Sequence, residues 1–400
     1  MPELPISVQN KEENQMKNRS VVRCLAFLCA MAILPAVPLA TAVRQPSSLP
    51  PLTARTELLR FSEDASGQTA GILSREKTDN QGKETETSSA PASPVSSQPE
   101  AEASQPLPES GAALSLPGTY RVLDADSGQV MELSPFDYIC GVTAAEIPMT
   151  FAPEAVKAQA VAAHSYALRQ MGLQLKNPDP DLQGAFLSTD PAHFQAYLSK
   201  EERQGLWGDS FEENEALLES AVNEVLNCVL VYQGEPAAAA FHSISSGKTE
   251  SAKDVWGREV PYLVTADSPE DAENPAGNGE SSLTVQEAAA ILSAHLETLS
   301  LPEDPAQWIQ ITERTEAGMV TSAKIGENTV SGEDIRSWFG LSSANFTVEC
   351  SGEALTFRTK GKGHGVGMSQ YGADAMAKEG HTWQEILARY YPGTEIARVG

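Results

Sequence analysis

Apolar and polar positions alternate at helical spacing over residues 134–146, and this pattern predicts a helix. Ser134 followed by Pro135 is a helix-start signal, because serine caps a helix and proline suits its first turn. Pro148 ends the helix, since the residue before a proline is pushed towards extended geometry. Glu146 is therefore predicted to lie at or near the C-terminal end of this helix.

A second helix is predicted from Pro153 onwards, where alanines recur as a small-residue face suited to close packing. Glu146 thus lies at a junction between two helices, with alanines before it and Ile147, Pro148 and Met149 after it. The C-terminal end of a helix dipole disfavours a carboxylate. If the site is buried, the apolar neighbours also raise the pKa of Glu146, which suits a general acid.

Elsewhere the periodicity changes between helical and strand spacing without a regular order. The pattern predicts helices over 212–227, 284–299 and 382–390, and short strands over 120–122, 130–133, 229–232, 237–241, 309–315, 319–325, 346–350 and 355–359. The strands 229–232 and 237–241 flank a turn and predict a hairpin, whereas the acidic stretch 267–282 predicts a mobile surface loop. Such a mixture favours an α+β fold with short antiparallel strands over a parallel α/β fold.

The N-terminal part of the chain has a different composition. Residues 24–43 form an uncharged run of about 20 residues behind the cationic segment 1–23, which predicts a cytoplasmic tail and a membrane anchor. Small residues at the end of the run also fit a signal-peptidase site, so anchored and cleaved forms are both open. Residues 44–116 are rich in Ser, Pro, Gln and Glu and predict a disordered linker. We expect the folded domain, residues 117–400, on the extracytoplasmic side of the cell membrane.

Charge and cysteine spacing exclude several classes of function. A formal net charge of −26 argues against nucleic acid or an anionic lipid surface as the main partner, because both need a basic face. Cys140, Cys228 and Cys350 are too widely spaced for a disulfide framework, and at most one pair could form a bridge. We expect buried free thiols, because cysteine is usually buried. The histidines form no zinc signature, and no Gly-x-Ser-x-Gly elbow occurs. We therefore expect no metal, no cofactor and no serine nucleophile.

A serine-rich stretch follows a predicted strand at residues 241–257, which read FHSISSGKTESAKDVWG. Ser243 and Thr249 are candidates to hydrogen-bond a polyhydroxylated ligand, and Trp256 is a candidate to stack on a sugar face. An ordinary Ser/Gly turn fits the same residues equally well.

A glycine-rich stretch occupies residues 360–372, which read KGKGHGVGMSQYG. Alternating glycines let the backbone approach a ligand closely or take positive φ. The stretch lacks the Lys-Ser/Thr ending of a phosphate-binding P-loop. His364 fits a proton carrier, a hydrogen-bond donor to substrate or a structural histidine, and the stretch leads into Gln370 and Tyr371.

Three long motifs together resemble the stage II sporulation protein D family, which is related to the amidase enhancer LytB. They are CGVTAAEIPMTFAPEAVKAQAVAAHSYAL, SGKTESAKDVWG followed by VPYL, and GKGHGVGMSQYGADAMAKEGHTWQEILARYYPGT, in the order that the family has them. The resemblance runs from about Leu116 to Arg398. It implies a lytic transglycosylase that cuts peptidoglycan glycan strands during sporulation engulfment or wall remodelling. It also implies a preference for strands that a partner amidase has stripped of stem peptides.

The resemblance also implies roles for particular residues. The catalytic acid of the family's motif falls on Glu146, which would act as general acid and then as general base. The substrate-binding residues that we expect are His364, Gln370 and Tyr371, with Ser243 and Thr249 as further candidates.

The chain departs from the family's pattern at several positions. His164 and Ser342 stand where arginine is usual or frequent, and Ser246 stands where glycine is usual, which alters the substrate contacts expected there. Some relatives carry metal-binding Cys and His-Cys residues across 188–194, of which only His193 is present here. We therefore predict no bound zinc.

Two other functions fit the same sequence. A non-catalytic glycan-binding module could stimulate a cell-wall amidase, and alone it would leave glycan strands intact. A scaffold could instead recruit partners through the linker and the acidic stretch, without depending on Glu146. The presence of Glu146 favours the enzyme, with glycan strands, an amidase and a membrane scaffold as partners.

Overall fold

The computed structural model describes residues 118–191 and 193–400. The predicted cytoplasmic tail, the anchor or signal segment and the linker, residues 1–23, 24–43 and 44–116, lie outside the described residues. Within the described ranges, no helix is long and apolar enough to cross a membrane.

Helices and short strands follow one another without a repeating strand-helix unit. The helices are α1 (Pro135–Glu146), α2 (Pro153–Lys176), α3 (Lys200–Trp207), α4 (Phe211–Val225), α5 (Ala252–Trp256), α6 (Pro269–Ala272), α7 (Val285–His295), α8 (Gly332–Phe339), α9 (Gln370–Lys378) and α10 (Trp383–Tyr390). The strands are β1 (Tyr120–Leu123), β2 (Val130–Leu133), β3 (Leu187–Ser188), β4 (Cys228–Tyr232), β5 (Glu235–Pro236), β6 (Phe241–His242), β7 (Asn278–Thr284), β8 (Gln310–Arg314), β9 (Val320–Ile325), β10 (Asn328–Val330), β11 (Phe346–Ser351), β12 (Ala354–Lys360), β13 (Met368–Ser369) and β14 (Glu395–Arg398). The predicted α+β class is confirmed.

Helix α2 lies at the centre of the first hydrophobic core. Its alanine-rich face is buried, and α1, α4, α9 and α10 all pack against it. Small side chains on one helical face let the neighbouring helices approach closely. Helix α2 therefore packs both against α1, which ends at Glu146, and against α9, which begins at Gln370.

Short sheets surround this helical core. Strands β2, β1 and β3 form one sheet, and β14, β4 and β5 form another. Strands β6 and β13 pair in parallel, with Phe241 opposite Met368 and His242 opposite Ser369. This pairing joins the serine-rich stretch to the glycine-rich stretch, although they are far apart in sequence.

A second hydrophobic core lies in the C-terminal half. Strands β11, β12 and β7 form one antiparallel sheet, and β10, β9 and β8 form another. Phe339 of α8 packs on Phe357 of β12 with ring centroids 4.8 Å apart, and Phe346 packs on the same ring at 5.8 Å. Strand β12 then leads directly into the glycine-rich stretch, so the second core anchors one end of it.

The acidic stretch 267–282 is ordered, and the prediction of a mobile surface loop is wrong. It contains α6 and much of β7, and Asp271 is only 2% exposed. Asp271 Oδ2 accepts hydrogen bonds from the hydroxyls of Ser245 at 2.7 Å and Ser268 at 2.9 Å. Ser268 Oγ in turn lies 2.8 Å from the hydroxyl of Tyr390. Polar residues can be buried when they satisfy one another, and composition does not reveal such partners.

The predicted hairpin after α4 is shorter than expected. Strand β4 pairs with only the two residues of β5, and residues 237–240 are not a strand. The N–H of Ala237 still donates to the carbonyl of Leu230 at 2.9 Å. However, the N–H of Leu230 donates to Ser165 Oγ of α2 at 2.7 Å. A side chain therefore replaces the strand partner, and the ladder ends there.

The three cysteines of the domain are free thiols. Cys140 and Cys228 are buried as predicted, whereas Cys350 is only partly buried. Burial raises the pKa of the Cys140 thiol to about 12 and also raises the pKa of the Cys228 thiol. These two thiols are therefore structural, because the thiolate is the reactive form.

Candidate active site

Helix α1 carries Glu146 at its last position, as the sequence predicts. Ser134 Oγ caps the helix by accepting a hydrogen bond from the N–H of Asp137 at 3.1 Å. At the other end, Ile147 is extended with φ −131° and ψ 138°. The helix stops here because Ile147 precedes Pro148. The Glu146 side chain is therefore held at a fixed helix end.

The Glu146 carboxyl lies in surroundings that favour its neutral form. Glu146 is half-buried as a residue, and burial of its carboxyl raises the pKa to about 7. The N–H of Ala196 donates to Oε1 at 2.9 Å and opposes this shift by stabilising the charged form. Near neutral pH, both the protonated and the ionised form of the carboxyl are therefore populated. A group that gives a proton and then takes it back needs both forms.

Two phenols lie close enough to sense the charge of Glu146. Burial is the main cause that raises the pKa values of Tyr138 and Tyr166, the latter to about 12, and the Glu146 carboxylate raises both further. The Tyr138 hydroxyl has no hydrogen-bond partner among the described residues, and the Tyr166 hydroxyl lies 3.5 Å from the carbonyl of His193. Both phenols therefore stay protonated beside the acid.

Gln370 joins the glycine-rich stretch to the helix junction. Its Nε2 donates to the main-chain carbonyl of Glu146 at 2.9 Å and to Gln159 Oε1 of α2 at 3.3 Å. Gln370 is buried, with 5% of its surface exposed. The buried amide satisfies a carbonyl at the end of α1, where no intrahelical donor exists. The Gln370 side chain thus contacts the backbone of Glu146, and its expected contact with substrate stays a prediction.

Two carboxylates fix the start of α2 to the C-terminal helices. The N–H of Ala152 donates to Asp374 Oδ1 of α9 at 2.8 Å. The N–H of Trp383 in α10 donates to Glu154 Oε2 at 2.8 Å. Residues more than 200 positions apart therefore hold the junction that contains the acid.

Tyr371 and Ser243 meet through their backbones. The N–H of Tyr371 donates to the carbonyl of Ser243 at 3.1 Å. The Tyr371 ring packs edge-on against Phe151, with centroids 5.0 Å apart. Phe151 follows Glu146 by five residues, so Tyr371 contacts the segment between α1 and α2, and Ser243 is joined to that segment through Tyr371.

His364 is held as a neutral imidazole. Its Nδ1 accepts a hydrogen bond from the N–H of Val366 at 3.0 Å. Burial, followed by the neighbouring His242 and Arg336, lowers the pKa of His364 to about 3. The ring also packs 5.3 Å from the indole of Trp256. The proposed contact of His364 with substrate stays a prediction.

Glycine is required at position 367 of the glycine-rich stretch. Gly367 has φ +74°, and a Cβ there would overlap the carbonyl oxygen of Ala240. The N–H of Met368 donates to that same carbonyl at 3.1 Å. Close backbone packing between the two motifs therefore explains a glycine here without a ligand.

Thr249 is fully buried and bonded to protein groups. Its hydroxyl oxygen accepts from the N–H of Ala266 at 2.9 Å and lies 3.4 Å from the carbonyl of Val264. The structure thus connects Thr249 to the 264–266 segment. Its proposed contact with substrate stays a prediction.

The residues that depart from the family's pattern have structural partners in this chain. His164 Nε2 lies 2.8 Å from the Tyr120 hydroxyl in the core, and burial lowers the pKa of His164 to about 4. Ser246 Oγ donates to the carbonyl of Ala317 at 2.9 Å. Ser342 Oγ lies 2.6 Å from Thr359 Oγ1. Each of these three side chains therefore has a partner within the fold.

The residues that could hold a metal do not assemble in the described part of the chain. His193 Nδ1 lies 2.9 Å from Asp190 Oδ2, and no group of three or more His, Cys, Asp or Glu residues forms there. A pair of this kind does not meet the ligand number of a zinc site.

The main feature that the sequence did not predict is the hydrogen bond from Ala196 to Glu146. Every residue except proline carries a backbone N–H, so no residue type marks this position. Gln159 was also missed, because a glutamine in an alanine-rich helix carries no distinctive motif.

The fold and the site define an α+β protein in which one carboxyl of raised pKa ends a helix beside a glycine-rich loop. Residues 124–232 match the family described as Stage II sporulation protein (SpoIID). The chain is 38% identical over 272 residues to Stage II sporulation protein D of Bacillus subtilis (strain 168), which covers 68% of this chain and 77% of that protein. It is 37% identical over 261 residues to Stage II sporulation protein D of Bacillus amyloliquefaciens, covering 65% and 73% of the two chains.

A more distant relative carries another name. The chain is 28% identical over 304 residues to the Amidase enhancer of Bacillus subtilis (strain 168), covering 64% of this chain and 40% of that protein. The similarity at 38% identity extends over most of both chains. This chain therefore belongs to the stage II sporulation protein D family, and the predicted resemblance is confirmed.

Proposed function

We propose that this protein is a lytic transglycosylase that cleaves the glycan strands of peptidoglycan, with Glu146 as its catalytic residue. The observation that carries the proposal is the Glu146 carboxyl, whose pKa is raised to about 7 by burial at a helix end. A carboxyl with a pKa near the working pH is efficient both as an acid and as a base.

The reaction needs one carboxyl in two successive steps. Protonated Glu146 first gives its proton to the glycosidic oxygen, and the bond between that oxygen and the sugar C1 breaks. The 6-hydroxyl of the same sugar then attacks C1, and ionised Glu146 removes the hydroxyl proton. The product carries a 1,6-anhydro ring, no water is consumed, and the acid is regenerated.

The surroundings of Glu146 fit this chemistry better than hydrolysis by a carboxylate pair. Hydrolytic glycosidases place two carboxyl groups about 5 to 9.5 Å apart, and such groups shift each other's pKa. Among the described residues, no second carboxylate contributes to the raised pKa of Glu146, which comes from burial. In the second step, the substrate's own 6-hydroxyl is then the nucleophile.

The remaining site residues divide by what they contact. Gln370 is a positioning residue, because its amide binds the backbone carbonyl of Glu146 and the side-chain oxygen of Gln159 rather than the Glu146 carboxyl. Tyr371 and Ser243 are proposed to line the groove for the strand. His364 would act as a neutral hydrogen-bonding or packing group, since its low pKa leaves it uncharged at neutral pH.

The cellular setting is proposed from the sequence and from the family. We infer that the apolar segment 24–43 places the domain outside the cytoplasmic membrane, where peptidoglycan lies. The names of the relatives support a role in sporulation, with engulfment or wall remodelling as the process. A cell-wall amidase would supply strands free of stem peptides, and a membrane scaffold would hold the two enzymes together.

Digestion of purified glycan strands without stem peptides tests the proposal. The wild-type chain should release products that end in 1,6-anhydromuramic acid, identified by mass. Glu146→Ala and Glu146→Gln should lower the rate by about 10³-fold, the scale of general acid-base catalysis. Glu213→Gln, at an exposed position of α4, is the matched control and should keep the wild-type rate. Full activity in both Glu146 variants would reject the assignment.

The similarity to an Amidase enhancer supports a second candidate function. In that case the domain binds glycan and stimulates a cell-wall amidase without cutting strands itself. The two functions separate when the purified chain is incubated alone with glycan strands. Intact strands, together with faster stem-peptide release after an amidase is added, would favour the enhancer.

A further inference from the structure

The segment Gln195–Leu198, which we call the strap, lies against helix α1 and reaches the acid through its backbone. The N–H of Ala196 donates to Glu146 Oε1 at 2.9 Å. The N–H of Leu198 donates to the carbonyl of Gly141 at 3.1 Å. These two bonds attach the strap at the last residue of α1 and again five residues earlier.

An aromatic stack supports the same contact. The ring of Tyr197 in the strap lies parallel to the ring of Tyr138 in α1, with centroids 6.1 Å apart and an angle of 12° between the planes. Tyr138 is 1% exposed, so packing in the core fixes the Tyr138 ring. The strap is thus held by hydrogen bonds from its main-chain N–H groups on both sides of a packed aromatic pair.

Gly141 is the residue that makes room for this arrangement. A Cβ at this position would overlap the Tyr197 ring and would lie 2.8 Å from the carbonyl oxygen of Leu198. Glycine inside a helix costs about 1 kcal/mol relative to alanine. A glycine in the middle of α1 therefore needs a compensating contact, and the close approach of the strap supplies it.

We infer that the strap positions the Glu146 carboxyl for catalysis and that Gly141 and Tyr197 are the positioning residues that keep the strap in place. The inference rests on the proposed function. A neutral carboxyl has one carbonyl oxygen that accepts and one hydroxyl that donates. Because Ala196 donates to Oε1, the proton is directed to Oε2, and the strap selects the oxygen that faces the substrate.

The test is Gly141→Ala in the full chain, assayed on glycan strands free of stem peptides. The added methyl should push the strap away and break the bond from Ala196. We expect kcat to fall at least tenfold with KM changed less than twofold. The alkaline limb of kcat/KM should move upwards by about one pH unit, because the hydrogen bond that favours the ionised acid is lost.

Gly172→Ala is the matched control. Gly172 also lies inside a helix, α2, and a Cβ there meets nothing within 4 Å. This variant should keep the wild-type rate and pH profile. A change equal to that of Gly141→Ala would mean that glycine replacement in a helix, rather than the strap, causes the effect, and would overturn the inference.

Tyr197→Ala gives a second route if Gly141→Ala does not fold. It removes the aromatic stack without adding an atom to α1, and the rate should fall at least fivefold with a pH shift in the same direction. Wild-type rates and pH profiles in the folded variants would overturn the inference.

A measurement without substrate separates this inference from the proposed function. The carbon-13 shift of the Glu146 side-chain carboxyl reports its pKa directly. A higher pKa in Gly141→Ala or Tyr197→Ala than in wild type supports the strap even if no strand is cleaved. An unchanged pKa in both variants overturns the inference even if the wild-type chain is active.

Discussion

Replacing Glu146 with glutamine should change how the stability of the folded protein depends on pH. Glutamine has nearly the same shape as protonated glutamate, and its carbonyl oxygen can still accept the hydrogen bond from Ala196. The substitution therefore removes the titration of one group and leaves its packing in place. Every other ionisable group is common to both proteins and cancels in the comparison.

The magnitude follows from the displacement of the pKa. Burial raises the pKa of Glu146 from 4.5 to about 7 in the folded protein, which corresponds to about 3 kcal/mol. Partial exposure of the residue reduces this to roughly 2 kcal/mol. Because the folded pKa is the higher one, the stabilisation is fully present below about pH 4.5 and is lost as pH rises through about 7.

The assay is urea denaturation of both proteins at pH 4.5, 6, 7 and 8.5, with the free energy of unfolding extrapolated to water. Relative to wild type, Glu146→Gln should gain roughly 2 kcal/mol of stability between the lowest and the highest pH. Glu213→Gln on the exposed face of α4 serves as the control and should show a difference of less than about 0.5 kcal/mol.

A difference between wild type and Glu146→Gln that stays constant from pH 4.5 to 8.5 would refute this reasoning. It would mean that the carboxyl titrates alike in the folded and unfolded chains. The basis for a proton-exchanging acid at neutral pH would then be lost, whatever the activity of the variant.

Three further substitutions test the roles of other buried groups. Gln370→Leu removes two hydrogen bonds at the helix junction. The free energy of unfolding should fall by about 2 kcal/mol in urea denaturation, and kcat on glycan strands should also fall. An unchanged kcat would contradict a positioning role. Thr249→Val should cost about 1 kcal/mol by losing the bond from Ala266, with kcat/KM on glycan strands within twofold of wild type; a large rise in KM would instead assign Thr249 to substrate binding. Arg203→Met removes the two hydrogen bonds, 2.7 and 2.9 Å long, that Arg203 donates to the buried Glu215, and it leaves that carboxylate only the exposed Lys200 at 3.3 Å. Thermal and urea unfolding should show a loss of about 3 kcal/mol, and a loss below about 1 kcal/mol would contradict the importance of the pair.

Several elements could be predicted because their signals are local. The cap at Ser134 and the stop at Pro148 act through neighbouring backbone geometry, so the ends of α1 follow from a few residues. The capping box of Thr284 with Glu287 likewise marks the start of α7, although the helix ends at His295, four residues earlier than predicted.

Other elements were missed because their stabilising partners are distant in sequence. Helix α8 has Ile335 and Phe339 on its buried face, but it is only eight residues long and depends on the second core. The charge of the stretch 267–282 predicts a loop, yet Asp271 is buried and accepts hydrogen bonds from the nearby Ser268 and from Ser245 of the serine-rich stretch. A charged residue type indicates a preference for water. It does not show whether a hydrogen-bonding partner is present inside the fold.

The sequence by itself determined that an acid would stand at a helix end between apolar neighbours, because helix termination by proline is a local steric effect. It also indicated the family, because the three motifs can be identified from the residues alone. Only the tertiary structure decided what surrounds that acid. The bond from Ala196, the amide of Gln370 and the close approach at Gly141 join segments 50 to more than 200 residues apart. Such contacts depend on how the helices pack, and backbone donors and glycine's lack of a side chain leave little trace in the pattern of residues.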